Sequence, residues 1–314
     1  MKYNVFAPAS IGNLSIGFDV LGMAVQPIDG TLLGDVVSIE SAETNHLSIV
    51  GDFADKLPSD PQQNIVWHCL VLFHQYMQSN DLAFEPVKLT LDKKMPVGSG
   101  LGSSACSVVA ALVALNTFYQ APFDEQQLLK MMGEMEAQIS GSLHYDNVAP
   151  CYLGGLQLML PQTQKVTTTL PSFNDHYYIM AYPGIEVSTK AARDVLPDSY
   201  TRAQAIEYGQ TLASFVDACY RQDAQQAFST FEDVIAEPYR KHLLPGFDEA
   251  RQYLLAQGGL AVGISGSGPT LFCVCENEQT ANELACWLKE NYLKTSLGFV
   301  HVCEADTRGA RILD

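Results

Sequence analysis

Positive charge is the first thing this 314-residue sequence lacks: 18 lysines and arginines stand against 35 aspartates and glutamates, a formal net charge of −17. Such a surface repels DNA, RNA and anionic membranes, and no basic run interrupts it, so neither nucleic acid nor membrane is expected as a partner. Long hydrophobic runs are missing too. The longest, Val108 to Leu115, falls far short of the ~20 residues that span a bilayer. The opening Met1-Lys2-Tyr3-Asn4 has neither the basic nor the apolar region of a signal peptide. The eight cysteines (Cys69, Cys106, Cys151, Cys219, Cys273, Cys275, Cys286 and Cys303) form no C-x-x-C and no paired histidine spacing. They read as small buried apolar residues in a reducing, cytoplasmic setting, not as disulfides or a zinc site. What remains is ordinary globular composition, 47% apolar and 17% charged, long enough for two domains or one large one.

Among what is present, one stretch organises the rest: Pro96-Val97-Gly98-Ser99-Gly100-Leu101-Gly102-Ser103-Ser104-Ala105. Its three glycines allow positive φ and close backbone approach to a ligand. A glycine loop that opens a helix presents free N–H groups and the positive end of the helix dipole, an anion site. The plain alternative is a tight turn with Ser103 or Ser104 as N-cap of a buried helix. A Walker A loop would end in Gly-Lys-Ser/Thr, and Gly102 is followed by Ser103. Glycines at 98, 100 and 102 also miss the G-x-G-x-x-G spacing of dinucleotide and protein-kinase loops. With no loop lysine, a bound phosphate needs a metal and backbone dipoles.

Along the chain, strands are expected at 4–9, 21–25, 35–40 and 87–92, and helices at 64–77 and 104–118. The face of the first helix is read as Ile65, Leu72, Phe73 and Met77; Asn64 is its N-cap or, alternatively, an adenine contact. Asp124 to Gln127 forms a capping box for a helix with Leu128, Met131, Met132, Met135 and Ile139 as a core stripe. Glu134 and Glu136 must face apart, so one points inward, where a carboxylate needs a partner or a metal. A dense polar loop, 140–150, and an apolar segment, 151–160, follow. The stretch 161–175 reads as a linker. Beyond it come strands at 176–182, 260–264, 270–275 and 298–303, and a short helix capped by Ser188 or Thr189. Longer helices are read at 201–221, 223–236, 248–257 and 278–292, lying on one face of the sheet.

Several of these segments together resemble the GHMP kinase family, in the form of its homoserine kinases. The glycine stretch matches the family's nucleotide loop, and Ala7-Pro8-Ala9-Ser10 through Asn13, Gly17, Phe18 and Asp19 matches its first motif. His144-Tyr145-Asp146-Asn147-Val148-Ala149-Pro150, Tyr182-Pro183-Gly184 with Ser188, Thr189 and Arg193, Glu237-Pro238-Tyr239-Arg240, and Gly263 to Thr270 are similar as well. The resemblance implies an α+β, two-domain fold: a nucleotide-binding α+β domain over 1–165 and a ferredoxin-like α/β sandwich over 166–314. It implies ATP-dependent phosphorylation of the L-homoserine side-chain hydroxyl to O-phospho-L-homoserine, on the route to threonine. A GHMP kinase for another small alcohol, or a catalytically silent nucleotide-binding regulator, are the alternatives; a homodimer is compatible but not dictated.

Roles follow from the resemblance alone. Pro96 to Cys106 (Pro96, Val97, Gly98, Ser99, Gly100, Leu101, Gly102, Ser103, Ser104, Ala105 and Cys106) would bind ATP, with Ser104 and Glu136 as Mg²⁺ ligands. Asn13, Asp19, Asp146, Asn147, Arg193, Arg240 and Gly266 would hold the acceptor. Its ammonium suits Asp19 or Asp146, and its carboxylate suits a fork of Arg193 and Arg240. Asn147, Asp146, Thr189 and Arg193 would surround the reacting groups. Mevalonate kinase has an aspartate where this sequence has Asn147, and an amide is no general base. Catalysis would then rest on positioning and charge stabilisation, with Asp146 or water taking the proton.

Overall fold

The computed structural model describes residues 2–161 and 165–313. The N-terminal half begins with β1 (Lys2–Pro8), β2 (Ser10–Gly12), β3 (Leu21–Pro27), β4 (Gly34–Ser41) and β5 (His46–Val50). After these come α1 (Ile65–Ser79), β6 (Val87–Asp92), α2 (Ser103–Phe118), α3 (Glu125–Ser140) and α4 (Val148–Leu153). Strands β7 (Leu156–Met159), β8 (Thr167–Leu170) and β9 (Tyr177–Tyr182) lead into α5 (Thr189–Asp194) and α6 (Arg202–Arg221). The chain closes with α7 (Ala224–Ser229), α8 (Glu237–Arg240), α9 (Phe247–Ala256), β10 (Ala261–Ile264), β11 (Leu271–Cys275), α10 (Glu278–Asn291), β12 (Phe299–Ala305) and β13 (Arg311–Leu313).

Two sheets organise these elements. One runs β13-β1-β4-β6-β5, and the other β10-β11-β9-β12-β3-β7-β8, with β2 paired to β3. The halves interlock. Near the N-terminus, β3 pairs with β12, setting Val25 against Ala305, and the C-terminal β13 pairs with β1, setting Val5 against Ile312. Helix α2 is buried on nearly every side from Ala105 to Asn116 and packs on β1, β4, α1, α3 and α4. A helix apolar all round belongs in the middle of a domain, and this position makes its N-terminus a fixed point. No helix among the described residues is long and apolar enough to cross a membrane.

In β9 and β11 successive residues serve two cores. Tyr178, Met180, Phe272 and Val274 join the main cluster, while Ile179, Ala181, Leu271, Cys273 and Cys275 pack toward α9 and α10. On the other face Phe231 meets Phe272 edge-on at 6.0 Å and also touches Phe215 of α6. Both faces are therefore covered, not one, which explains why these strands are continuously apolar.

Elsewhere the structure corrects the sequence reading locally. Thr167–Leu170 pairs with β7 as a strand, so the expected linker is part of the sheet; residues 162–164 of it lie outside the described residues. Segment 151–160 splits at Gly154 into the end of α4 and β7. The expected helix over 223–236 stops at Ser229; beyond it Asp233 turns its carboxylate onto the N–H groups of Ile235, Ala236 and Glu237, a side-chain-to-backbone turn that competes with continued helix. On α1 the buried face is Val66, Cys69, Leu70, Phe73 and Met77, with Ile65 and Leu72 only half-buried. Ile139 and Cys286 are exposed.

Candidate active site

The expected loop conformation is present: Gly98, Gly100 and Gly102 have φ of 64°, 76° and 68°. Gly102 is the N-cap of α2 and no side chain caps the helix, so neither serine plays the plain capping role. Ser103 instead donates to the Met95 carbonyl, and Ser104 to Glu136 Oε2 at 3.3 Å. The loop is braced from the C-terminal half. Thr270 Oγ1 donates to the Ser99 carbonyl at 2.6 Å and Ser265 Oγ to the Gly100 carbonyl at 2.7 Å. A Cβ on Gly100 would sit 2.4 Å from the Ser265 carbonyl and 2.7 Å from that of Gly268, which leaves room for glycine alone.

Beneath the loop lies a cation that sequence reasoning missed. Lys93, 2% exposed, reaches Asp35 at 2.5 Å, Ser107 Oγ at 3.0 Å and the Ser103 carbonyl at 2.8 Å. Asp35, fully buried, also accepts from the backbone N–H groups of Lys94 and Met95, each at 3.0 Å. Every member of this buried pair is hydrogen-bonded, the condition under which such a pair is tolerated. Its sequence signal was a lysine three residues before Pro96, just past a strand read only for alternation.

Across the same cavity, of about 500 Å³, lies a cluster built from side chains. It draws on the turn after β2, the loop before α4, α5, α8 and the 266–267 turn. Arg193 Nη2 and Nη1 donate to Asp19 Oδ1 and Oδ2 at 2.7 and 3.1 Å. His144 Nδ1 pairs with Asp146 Oδ1 at 2.8 Å, and Asn147 Nδ2 donates to Asp146 Oδ2 at 3.1 Å. Ser10 Oγ donates to Asn147 Oδ1 at 2.9 Å, which fixes that amide. Arg240 is buried and donates to the carbonyls of Ala192 and Gly266; Asn13 Nδ2 donates to the same Gly266 carbonyl. The guanidinium groups of Arg193 and Arg240 lie 5.6 and 5.1 Å from the Phe18 ring, an aromatic platform shared by two cations.

Electrostatics differ between the two ends. Burial pushes the Glu136 carboxyl above its usual range, against the opposing pull of His144, Ser104 and Lys93. Burial alone would lower the His144 value, but the hydrogen bond and charge of Asp146, with the charges of Asp19 and Glu136, outweigh it and hold it above its ordinary value. Burial and the neighbouring Arg193 charge pull Arg240 down, opposed by Asp233, Asp19 and Asp146. Polar atoms of Asp19, His144 and Asp146 lie within 4.8 Å of one another, so the two carboxylates and the imidazole share one corner of the cavity.

The family profile described as the GHMP kinases N terminal domain matches residues 64–155, and that described as GHMP kinases C terminal matches 216–294. A homoserine kinase structure from Cytophaga hutchinsonii is 32% identical, with a TM-score of 0.89 over 99% of this chain and 97% of that one. The chain belongs to the GHMP kinase family. More distant likenesses share the fold alone. The Streptococcus pneumoniae phosphomevalonate kinase is 13% identical, with a TM-score of 0.71 over 97% of this chain and 99% of that one. L. major mevalonate kinase, solved with R-mevalonate, is 14% identical, with a TM-score of 0.69 over 98% and 97%.

Membership makes the chain an ATP-dependent phosphotransferase and gives the geometry a frame. Within the GHMP loop, Val97, Gly98, Ser99, Gly100, Gly102, Ser103 and Ser104 line the cavity. Pro96, Leu101, Ala105 and Cys106 do not; they are buried beneath it, with Cys106 Sγ directed to the Pro8 carbonyl. Asn13, Asp19, Glu136, Asp146, Asn147, Thr189, Arg193, Arg240 and Gly266 all line the same cavity, as do His144 and Phe18, which were given no role from sequence. Asn64 Oδ1 accepts from Val66 N and so caps α1. The donor chemistry fits Mg²⁺: one hydroxyl and one buried carboxylate 3.3 Å apart at the loop, few protein ligands of the hard oxygen type.

Proposed function

We propose that this GHMP kinase transfers the γ-phosphoryl group of ATP to the side-chain hydroxyl of L-homoserine, giving O-phospho-L-homoserine. The observation that carries the reading is the gathering of two arginines and two aspartates at one end of the phosphate-loop cavity: Arg193 paired with Asp19, Asp146 bonded to His144 and Asn147, and Arg240 held by backbone carbonyls. An α-amino acid needs carboxylate acceptors for its ammonium and a planar fork for its carboxylate, and this cluster offers both within one wall. The 32% identity to a protein named as a homoserine kinase supports it.

In this reading the backbone of Gly98 to Ser104 cradles the triphosphate at the open N-terminus of α2. Ser104 and Glu136 hold Mg²⁺, which when bound neutralises charge on the phosphates. Asp19 and Asp146 receive the acceptor ammonium, and Arg193 and Arg240 its carboxylate, with Asn13 and the Gly266 carbonyl shaping the pocket. Thr189, in the first turn of α5, faces the transferring phosphate. Asn147, anchored by Ser10 and Asp146, orients the acceptor hydroxyl; in-line transfer through a loose transition state asks for such positioning more than for a strong base.

The test is a coupled ADP-release assay offering homoserine, mevalonate and galactose in turn. Turnover with homoserine alone is expected. No turnover with homoserine, or equal turnover with mevalonate, would replace this reading with a GHMP kinase for another alcohol. A silent regulator would release no ADP with any acceptor; the presence of both metal-type ligands and both arginines argues against it.

A further inference from the structure

Asp19 and Arg193 come from places 174 residues apart and meet as a two-pronged ion pair on the cavity wall. Both are held from behind. The backbone N–H of Asp19 donates to Asn13 Oδ1 at 2.8 Å, and the Arg193 guanidinium rests on Phe18 beside Arg240. Neither side chain is sealed: Arg193 is 23% and Asp19 33% exposed, so both charges remain within reach of a ligand. Arg193 Nε is buried and, among the described residues, has no hydrogen-bond partner, so the guanidinium has a donor that Asp19 does not use.

We infer that this pair is an exchange latch: in the absence of acceptor Asp19 and Arg193 satisfy one another, and only an acceptor carrying both a carboxylate and an ammonium replaces both partners at once. The inference rests on the homoserine reading and adds how the site chooses. To Arg193, Asp19 presents what the acceptor's carboxylate would present; to Asp19, Arg193 presents what its ammonium would. A zwitterion that inserts breaks one ion pair and makes two. A ligand with a carboxylate alone takes Arg193 and leaves Asp19 without a counter-charge, facing Asp146 nearby. A ligand with an amine alone takes Asp19 and leaves Arg193 beside Arg240. Stranding one partner of a partly desolvated pair is costlier than never having formed it, so the latch penalises half-matching alcohols that would otherwise fit.

The experiment uses the full chain, with isothermal titration of three ligands: L-homoserine, γ-hydroxybutyrate (no ammonium) and aminopropanol (no carboxylate). Asp19→Asn keeps the shape of the side chain and releases Arg193. Its affinity for γ-hydroxybutyrate is expected to rise about threefold to tenfold while that for homoserine falls by about tenfold or more, opposite directions in one variant. Arg193→Gln is the reciprocal case, in which aminopropanol gains and homoserine loses. A wild-type-like melting temperature shows each variant is folded, and either one suffices if the other is not. Should the half-matching ligand bind the folded variant no better than it binds the wild type, Asp19 and Arg193 are separate contacts and the latch is wrong. The underlying reading is checked separately, by wild-type turnover of homoserine: its absence removes that reading, whereas turnover without the reversed preference removes the latch alone.

Discussion

The two ends of the cleft are made of different materials. At the loop the contacts available to a ligand come from seven residues between Val97 and Ser104, braced from behind by Ser265, Thr270 and the buried Lys93–Asp35 pair. At the opposite end they are charged side chains drawn from Asp19 to Arg240, each held by another side chain or a distant carbonyl. A backbone site is specified by where a Cβ is forbidden, and it binds what every nucleoside triphosphate shares. A side-chain site is specified by identity, and it can separate one small alcohol from another. Scarce positive charge fits this division under the proposed function, in which a helix terminus and a metal would serve the phosphates and two arginines would be free for the acceptor.

The sharpest way to break this contrast is to place a methyl group on the backbone end. Gly100→Ala requires positive φ at a non-glycine residue and drives a Cβ into two carbonyls of the bracing loop. Strain of this kind costs about 1–3 kcal/mol of stability, measurable by urea unfolding. Displacement of the loop should lower kcat/KM for ATP by about a hundredfold or more. If the variant matches the wild type in both, the loop is not built as described. Second in size is Glu136→Ala, expected to lower kcat on the order of a hundredfold through loss of metal-held charge. Unchanged turnover across a magnesium titration would remove the metal assignment.

Arg240→Leu probes the other end. The acceptor KM should rise about tenfold to a hundredfold, the worth of a charge-assisted pair, while the ATP KM stays within about threefold. Equal rises in both would erase the distinction between the two ends. Because Arg240 also holds the Ala192 and Gly266 carbonyls, a lower melting temperature is expected alongside. The smallest effect concerns pH. His144 sits above the ordinary imidazole value of 6.5, so its contribution to stability is fully present below 6.5 and is lost as pH rises through the raised value. Urea unfolding of His144→Gln should therefore show a flatter stability profile above pH 6.5 than the wild type; parallel profiles would mean that Asp146 does not hold a proton on the ring.

Much of this was legible because it is local. The glycine spacing at 98, 100 and 102, the Asp124 capping box and the alternation from Val87 to Asp92 each depend on neighbours a few residues away. Helical periodicity also separated Glu136 from Glu134, which is exposed and accepts from Tyr76. Local rules failed where a distant partner won. Thr167–Leu170 reads as a polar connector until β7 lies beside it, and the helical pattern over 223–236 is broken where Asp233 folds its carboxylate onto the N–H groups of Ile235, Ala236 and Glu237. Ile139 continues a core stripe by spacing, yet α3 carries it past the edge of its neighbours to the cavity mouth.

The sequence by itself determined that a glycine loop opens a buried helix, that a carboxylate points inward about one turn before the end of α3, and that cations are few. Those properties follow from allowed φ, from the 3.6-residue period and from counting. Tertiary structure alone decided that Lys93 is bound under the loop by Asp35, that Arg193 faces Asp19, and that Phe18 carries both guanidinium groups. Such pairings join residues tens to hundreds of positions apart and leave no periodic trace, because what brings them together is the pairing of β4 with β6 for Lys93 and Asp35, and the docking of α5 and α8 over the same cavity for the arginines.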